Sequence, residues 1–398
     1  MARNSFFGFV GCWNNGSCLD NENAFYYVIT HMKQLIPPPE FIIIAGDNYY
    51  PEKKDMEDSD QQKHYVINER NLRSGFECLP ANIKTYIIYG NHDLDTNTDK
   101  KIYFKNNEQA DSCEIMKLEK ESIQQSIVEN KKIELNSFFG IDNENNNTSI
   151  IMFDTNLFDN ETRPDCYLDA NATTLEALYN KQMLEIQQFV EGNNEFHNQP
   201  NHNVILIGHY PIVSMKKKKK INQPTTIFPK MLQFFVDIKS MYQGKNPKFT
   251  YLCADTHLYQ KGRIKIKKKR TDEITDEIII MEFDQYIVGT GGAKLDTFNP
   301  DIPELERSFF PNNYDVTYLI EANEIAQHGY LKVNYIDQQL DFQFESVAVP
   351  RLIKSGGNTS KKIQRFSRCN SNCTPIKQPG STTSKKKKKL NKKTIRNK

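Results

Sequence analysis

The stretch Phe41-Ile42-Ile43-Ile44-Ala45-Gly46-Asp47-Asn48-Tyr49-Tyr50 constrains the fold more than any other part of this 398-residue chain. A short apolar run, β-branched at three positions, reads as a strand buried on both faces, and Gly-Asp-Asn ends it abruptly. Three other stretches share the design. Thr85 to Tyr89 runs into Gly90-Asn91-His92-Asp93. Val204 to Ile207 runs into Gly208-His209-Tyr210-Pro211, and Phe249 to Cys253 runs into Ala254-Asp255-Thr256-His257. In an open α/β sheet, ligands gather just beyond the carboxyl ends of such strands. Four strands therefore deliver Asp, Asn and His, the side chains that bind divalent metals, to one edge.

The remaining pattern supplies the frame. Phe6 to Val10 reads as the first strand, followed by the turn-rich Gly11-Cys12-Trp13-Asn14-Asn15-Gly16. Helical spacing covers residues 22–36, 173–191 and about 228–242. His31 lies in the first of these and reads as an ordinary structural histidine. Residues 94–148 are rich in Lys, Asn and Glu, which predicts an irregular insertion with one helical stretch near 114–130. A strand at 149–153 leads into Asp154-Thr155. Another at 286–288 leads into Gly289-Thr290-Gly291-Gly292. Alternating Leu331, Val333 and Tyr335, then Leu340, Phe342 and Phe344, predict a closing hairpin.

Charge divides the chain. Residues 351–398 hold sixteen Lys or Arg and no Asp or Glu, leaving 36 basic against 50 acidic residues before them. Apolar content collapses there, which predicts a Lys-rich disordered tail suited to an anionic partner, a nucleic acid or a membrane surface. No aromatic residue follows Phe366, which argues against base stacking in the tail. No run approaches the length of a membrane span. No charged and apolar leader precedes the first strand, so the expected location is intracellular. The eight cysteines are scattered, without a Cys-x-x-Cys pair, and read as free thiols.

The strand-closing motifs, in their order along the chain, resemble those of the calcineurin-like metallophosphoesterases, and within them the purple and tartrate-resistant acid phosphatases. The resemblance spans about residues 5–347. It implies a four-layer α-β-β-α sandwich: one catalytic domain over residues 1–350, with the 94–148 insertion and the 351–398 tail. It also implies two divalent or trivalent metal ions (iron, manganese or zinc) and hydrolysis of a phosphate ester by a metal-bound hydroxide. Asp47 would bridge the ions. Tyr50 and His257 would serve one, Asn91 and His209 the other. His92 would protonate the leaving oxygen or orient phosphate, and Asp93 would hold His92 in one tautomer.

Two positions depart from the family pattern. Cys12 stands where an aspartate is usual, and Asp255 replaces the first histidine of the last motif. A thiolate ligates but prefers softer ions, and Asn14 is an alternative donor to the first site. Asp255 can still ligate. The same departures suit a rival reading, a scaffold or binding protein with a weakened metal site. Lys216 to Lys220 follow the His209 loop, where they would attract phosphate or simply face solvent.

Overall fold

The computed structural model describes residues 5–350 apart from 19–22, 55–62, 95–99, 112, 161, 163, 168–173, 219–220, 225–227, 243–245, 269–277, 298–303, 310–313 and 325–326. The tail beyond 350 and part of the Lys216–Lys220 run lie outside the described residues. Two large sheets form the centre. One is six-stranded, ordered Gln339–Val347, His328–Ile336, Ser5–Val10, Phe41–Ala45, Lys84–Ile88, Ile133–Leu135. The other is eight-stranded, ordered Glu304–Phe309, Tyr314–Glu324, Tyr259–Lys268, Ile278–Val288, Lys248–Cys253, Asn203–Ile207, Thr148–Phe153, Phe138–Asn143.

The apolar strands behave as runs buried on both faces must. Successive side chains on a strand point to opposite sides. Ile43 and Ala45 therefore enter the core between the sheets, with Phe7, Phe9, Ile150, Met152, Ile205 and Ile207. Their neighbours Ile42 and Ile44 face outward onto helices α1 (Ala24–Lys33) and α2 (Glu69–Cys78), near α3 (Glu114–Val128). On the second sheet Ile151, Phe153, Val204 and Leu206 face outward onto α4 (Leu175–Gly192) and α6 (Pro229–Met241). Between those two, the short α5 (Asn194–His197) caps the far end of this sheet. The result is the expected four-layer α-β-β-α sandwich. The closing hairpin forms as read, with Asp337 and Gln338 both left-handed at φ 48° and 62°, the geometry a tight two-residue turn needs.

Two expectations change. Among its described residues, the 94–148 stretch is not irregular. After α3, strand Ile133–Leu135 pairs in parallel with Lys84–Ile88 at the edge of the first sheet. Strand Phe138–Asn143 then pairs antiparallel with Thr148–Phe153 at the edge of the second. Edge strands need only one buried face, so a polar composition conceals them. Nor are all the cysteines free. Cys18 is bonded to Cys78 across 60 residues and Cys113 to Cys166 across 53, while Cys12 and Cys253 remain buried thiols. Scattered spacing reveals nothing of a pairing that only the folded chain brings together.

Among the described residues, no helix is long and apolar enough to cross a membrane.

Candidate metal centre

Strands Ser5–Val10, Phe41–Ala45 and Lys84–Ile88 run parallel, as do Thr148–Phe153, Asn203–Ile207 and Lys248–Cys253. The loops after them carry Cys12, Asp47, Asn91, His209 and Asp255. Three of these turn out of the strand through a left-handed backbone: Cys12 at φ 53°, Asp47 at φ 52° and Asp255 at φ 50°. Such a residue costs about 1–3 kcal/mol unless its surroundings hold it, and the strain collects at functional sites. The holding bonds are present. Cys12 N–H donates to Gly46 O at 3.1 Å, Trp13 N–H to Asp47 O at 3.3 Å, and Gly292 N–H to Cys12 O at 3.0 Å. Gly46 and Gly90 allow the closest approach. A Cβ on Gly90 would fall 2.2 Å from Asp47 N, and one on Gly46 2.7 Å from His209 Nδ1.

The two oxygens of Asp47 serve two donor sets. Oδ2 accepts from the Tyr50 hydroxyl at 2.7 Å and lies 3.7 Å from Cys12 Sγ, while the Tyr50 oxygen lies 3.1 Å from His257 Nε2. Ligand atoms of Cys12, Asp47 and His257 all fall within 4.8 Å of one another. Oδ1 lies 3.3 Å from His209 Nε2, which is 3.1 Å from Asn91 Oδ1, and it accepts the His92 backbone N–H at 3.1 Å. A carboxylate placed this way can lie between two cations. Asp255 stands outside the first set and acts on it by charge.

Each imidazole is fixed from behind. His209 Nδ1 meets Ala45 O at 2.7 Å, and His257 Nδ1 meets Lys294 O at 2.9 Å. Both rings thus aim Nε2 into the site, the second-sphere arrangement common to metal-binding histidines. Thr155 Oγ1 accepts the backbone N–H groups of His209 and Tyr210 at 3.1 and 2.9 Å.

The electrostatics are those of a buried anionic cluster. Burial would push Asp47 up, but His209 and then His92 hold it well below the usual carboxylate range. Burial would push His209 down, but Asp47 beside it carries it up to about 9. Burial, then Asp47, then Asp255 raise the Cys12 thiol; burial, then Asp47, raise Tyr50; burial also raises Asp255. Protons on Tyr50, Cys12 and His209 therefore stand where these lone pairs converge, and a cation there would replace them. The donor set fits metal ions on that ground.

His92 lies at the mouth, its ring 4.7 Å from that of Tyr50. The hydrogen bonds of the Asp93 carboxyl run to Gly90 N at 2.6 Å and to Asn48 N and Nδ2 at 2.7 and 2.9 Å. It thereby ties the Asp47 loop to the Gly90–Asp93 turn. Asn48 continues the link, accepting from Trp13 Nε1 at 2.9 Å. Asn14 faces away from the site, with Nδ2 donating to Leu72 O on α2 at 2.9 Å, so it is no substitute for Cys12. His31 bonds Tyr330 at 3.1 Å.

One member of the site left no trace in the motifs. Glu119, on α3, is fully buried beside Asp93 and Asn48. Burial and the Asp93 charge push it well above the usual carboxylate range, so it stands as the neutral acid against Asp93. Asp93 is itself pushed up to about 7 by burial and then by Asp47.

A sequence model of the calcineurin-like phosphoesterase family matches residues 7–259, from the first strand to just past His257. The chain belongs to that family. No curated protein and no solved structure matches it.

Proposed function

We propose that the chain hydrolyses a phosphate ester at a binuclear centre of acid-phosphatase type. The observation that carries the proposal is the division of Asp47, with Oδ2 among Cys12, Tyr50 and His257 and Oδ1 beside His209 and Asn91. Cys12, Asp47, Tyr50 and His257 would hold one ion, and Asp47, Asn91 and His209 the other, with Asp255 beside it. Ions held there supply the positive charge and the activated water that phosphoester hydrolysis needs. The chain's own residues orient and exclude. Ala45 and Lys294 carbonyls aim the two imidazoles, and Asp93 with Asn48 keeps the Gly90–Asp93 turn against Asp47. His92, whose ring lies 4.7 Å from that of Tyr50, would give a proton to the leaving oxygen.

The test is elemental analysis of protein purified without chelator, together with phosphate release from p-nitrophenyl phosphate. Near two metals per chain with turnover supports the proposal. Metal without turnover favours the scaffold reading that Cys12 and Asp255 raise. No metal after incubation with iron, manganese or zinc sinks the hydrolase.

We also infer an oxidising compartment in place of the intracellular location expected from sequence, because cystine bridges persist there. Unfolded without reductant, the chain should then expose no more than four alkylatable thiols of its eight cysteines. Eight would return it to the cell interior.

A further inference from the structure

The hairpin formed by Met215–Lys218 and Ile221–Pro224 follows directly on the His209 loop. Its root is rigid. Met215 is buried, and its N–H and C=O are both taken by the Gln260 amide, at 3.2 and 3.3 Å. Ser214, just before it, shares a 2.5 Å hydroxyl contact with Thr256, inside the loop that bears Asp255 and His257. The next residue, Lys216, is thus anchored beside the metal-bearing loop while its side chain stays 38% exposed.

The tip of Lys216 is held loosely. Its Nζ lies 3.6 Å from Asp296 Oδ2, an ion pair but longer than a hydrogen bond. Asp296 is already engaged: the same oxygen accepts His257 N–H at 3.1 Å, and its own N–H donates to His257 O at 2.7 Å. A cation fixed at its root, loose at its tip and within reach of the metal ligands is suited to a mobile anion.

We propose that Lys216 is a substrate-binding residue, its ammonium leaving Asp296 to grip a non-bridging oxygen of the phosphoester. This rests on the metal-centre reading but not on turnover. Asp296 keeps the ammonium at the rim between ligands and clamps the His257 backbone meanwhile.

Calorimetric titration of inorganic phosphate into the metal-loaded full chain tests it, on wild type, Lys216→Ala, Lys216→Arg and Lys265→Ala. Lys265 pairs with Glu282 on the second sheet and serves as a control. The expected result is phosphate affinity about tenfold weaker in Lys216→Ala, largely restored in Lys216→Arg and unchanged in Lys265→Ala, with metal content equal in all four. Affinity within about twofold of wild type in Lys216→Ala overturns the proposal. So does loss of metal from that variant, which would make the lysine a support of the centre, and so does a wild type that binds no phosphate. A wild type that binds phosphate yet hydrolyses no ester refutes the hydrolase reading and leaves this one standing.

Discussion

Strands Thr148–Phe153 and Asn203–Ile207 run parallel and carry a histidine–aspartate cluster at each end. At their carboxyl ends lie Asp154 and His209; at their amino ends lie Ser149, His202 and the neighbouring Asp142 and His197. In the amino-end cluster Asp142 collects donors from Ser149 at 2.7 Å, His197 at 2.9 Å and Asn193 at 3.2 Å. His202 reaches Ser149 at 3.0 Å and Asn147 at 2.9 Å, and His197 Nδ1 meets Val190 O at 2.8 Å. Acceptors there are answered by donors. His197 and two of its partners outweigh the cost of burial, holding Asp142 below its ordinary range. At the carboxyl ends burial wins even over donors. Asp154 accepts from Tyr167 and Asn156 yet is pushed up to about 6, and burial with Asp47 pushes Asp93 to about 7. Cys12, Tyr50 and Asn91 bring further oxygen and sulfur atoms around Asp47. The same residue types thus make a structural clasp at one end and a cation-seeking pocket at the other. Parallel strands explain the difference: loops that leave their carboxyl ends converge, and left-handed turns aim the side chains inward.

The largest expected effect separates the two ends by function. Asp47→Asn should remove most bound metal and lower hydrolysis by about three orders of magnitude, the scale of losing a transition-state-stabilising group. Asp142→Asn should change neither; equal losses in both variants would erase the distinction. Next in size, Asp142→Ala leaves His197, Ser149 and Asn193 without their acceptor. It should lower unfolding free energy in denaturant by about 2–4 kcal/mol, with metal content per folded chain intact.

The smallest effect is one of sign, read on metal-free protein. Asp93 is neutral in the fold at a pH where it is ionised in the unfolded chain. It therefore makes stability fall as pH rises from about 4 to about 7. Asp142 does the opposite: its contribution is complete above about pH 4 and is lost on acidification below that. Asp93→Asn should flatten the neutral-side slope, and Asp142→Asn the acid-side one. Identical slopes in both variants would mean that the two carboxyls share one electrostatic environment.

Much of this was legible in the chain because it is local. Continuous apolar runs such as Ile42 to Ala45 specify strands buried on both faces. The Gly-Asp, Gly-Asn and Gly-His pairs after them specify where backbones turn and metal-binding side chains gather. The motif order points Asp47, Tyr50, Asn91, His209 and His257 towards one edge, and in the fold their side chains meet. The His202 and Asp142 cluster carried no comparable motif, and nothing in composition told a clasp from a pocket.

Other features belong to the tertiary structure alone. The cystines Cys18–Cys78 and Cys113–Cys166, the turn of Asn14 towards α2, the burial of Glu119 against Asp93 and the edge strands within 94–148 join residues far apart in the chain. The division of Asp47 between two donor sets depends likewise on His209 and His257 arriving from the second sheet. Local pattern sets backbone conformation and which face a side chain takes. Which groups meet across the sandwich, and whether an acceptor finds a donor or another acceptor, is settled only when the two sheets pack.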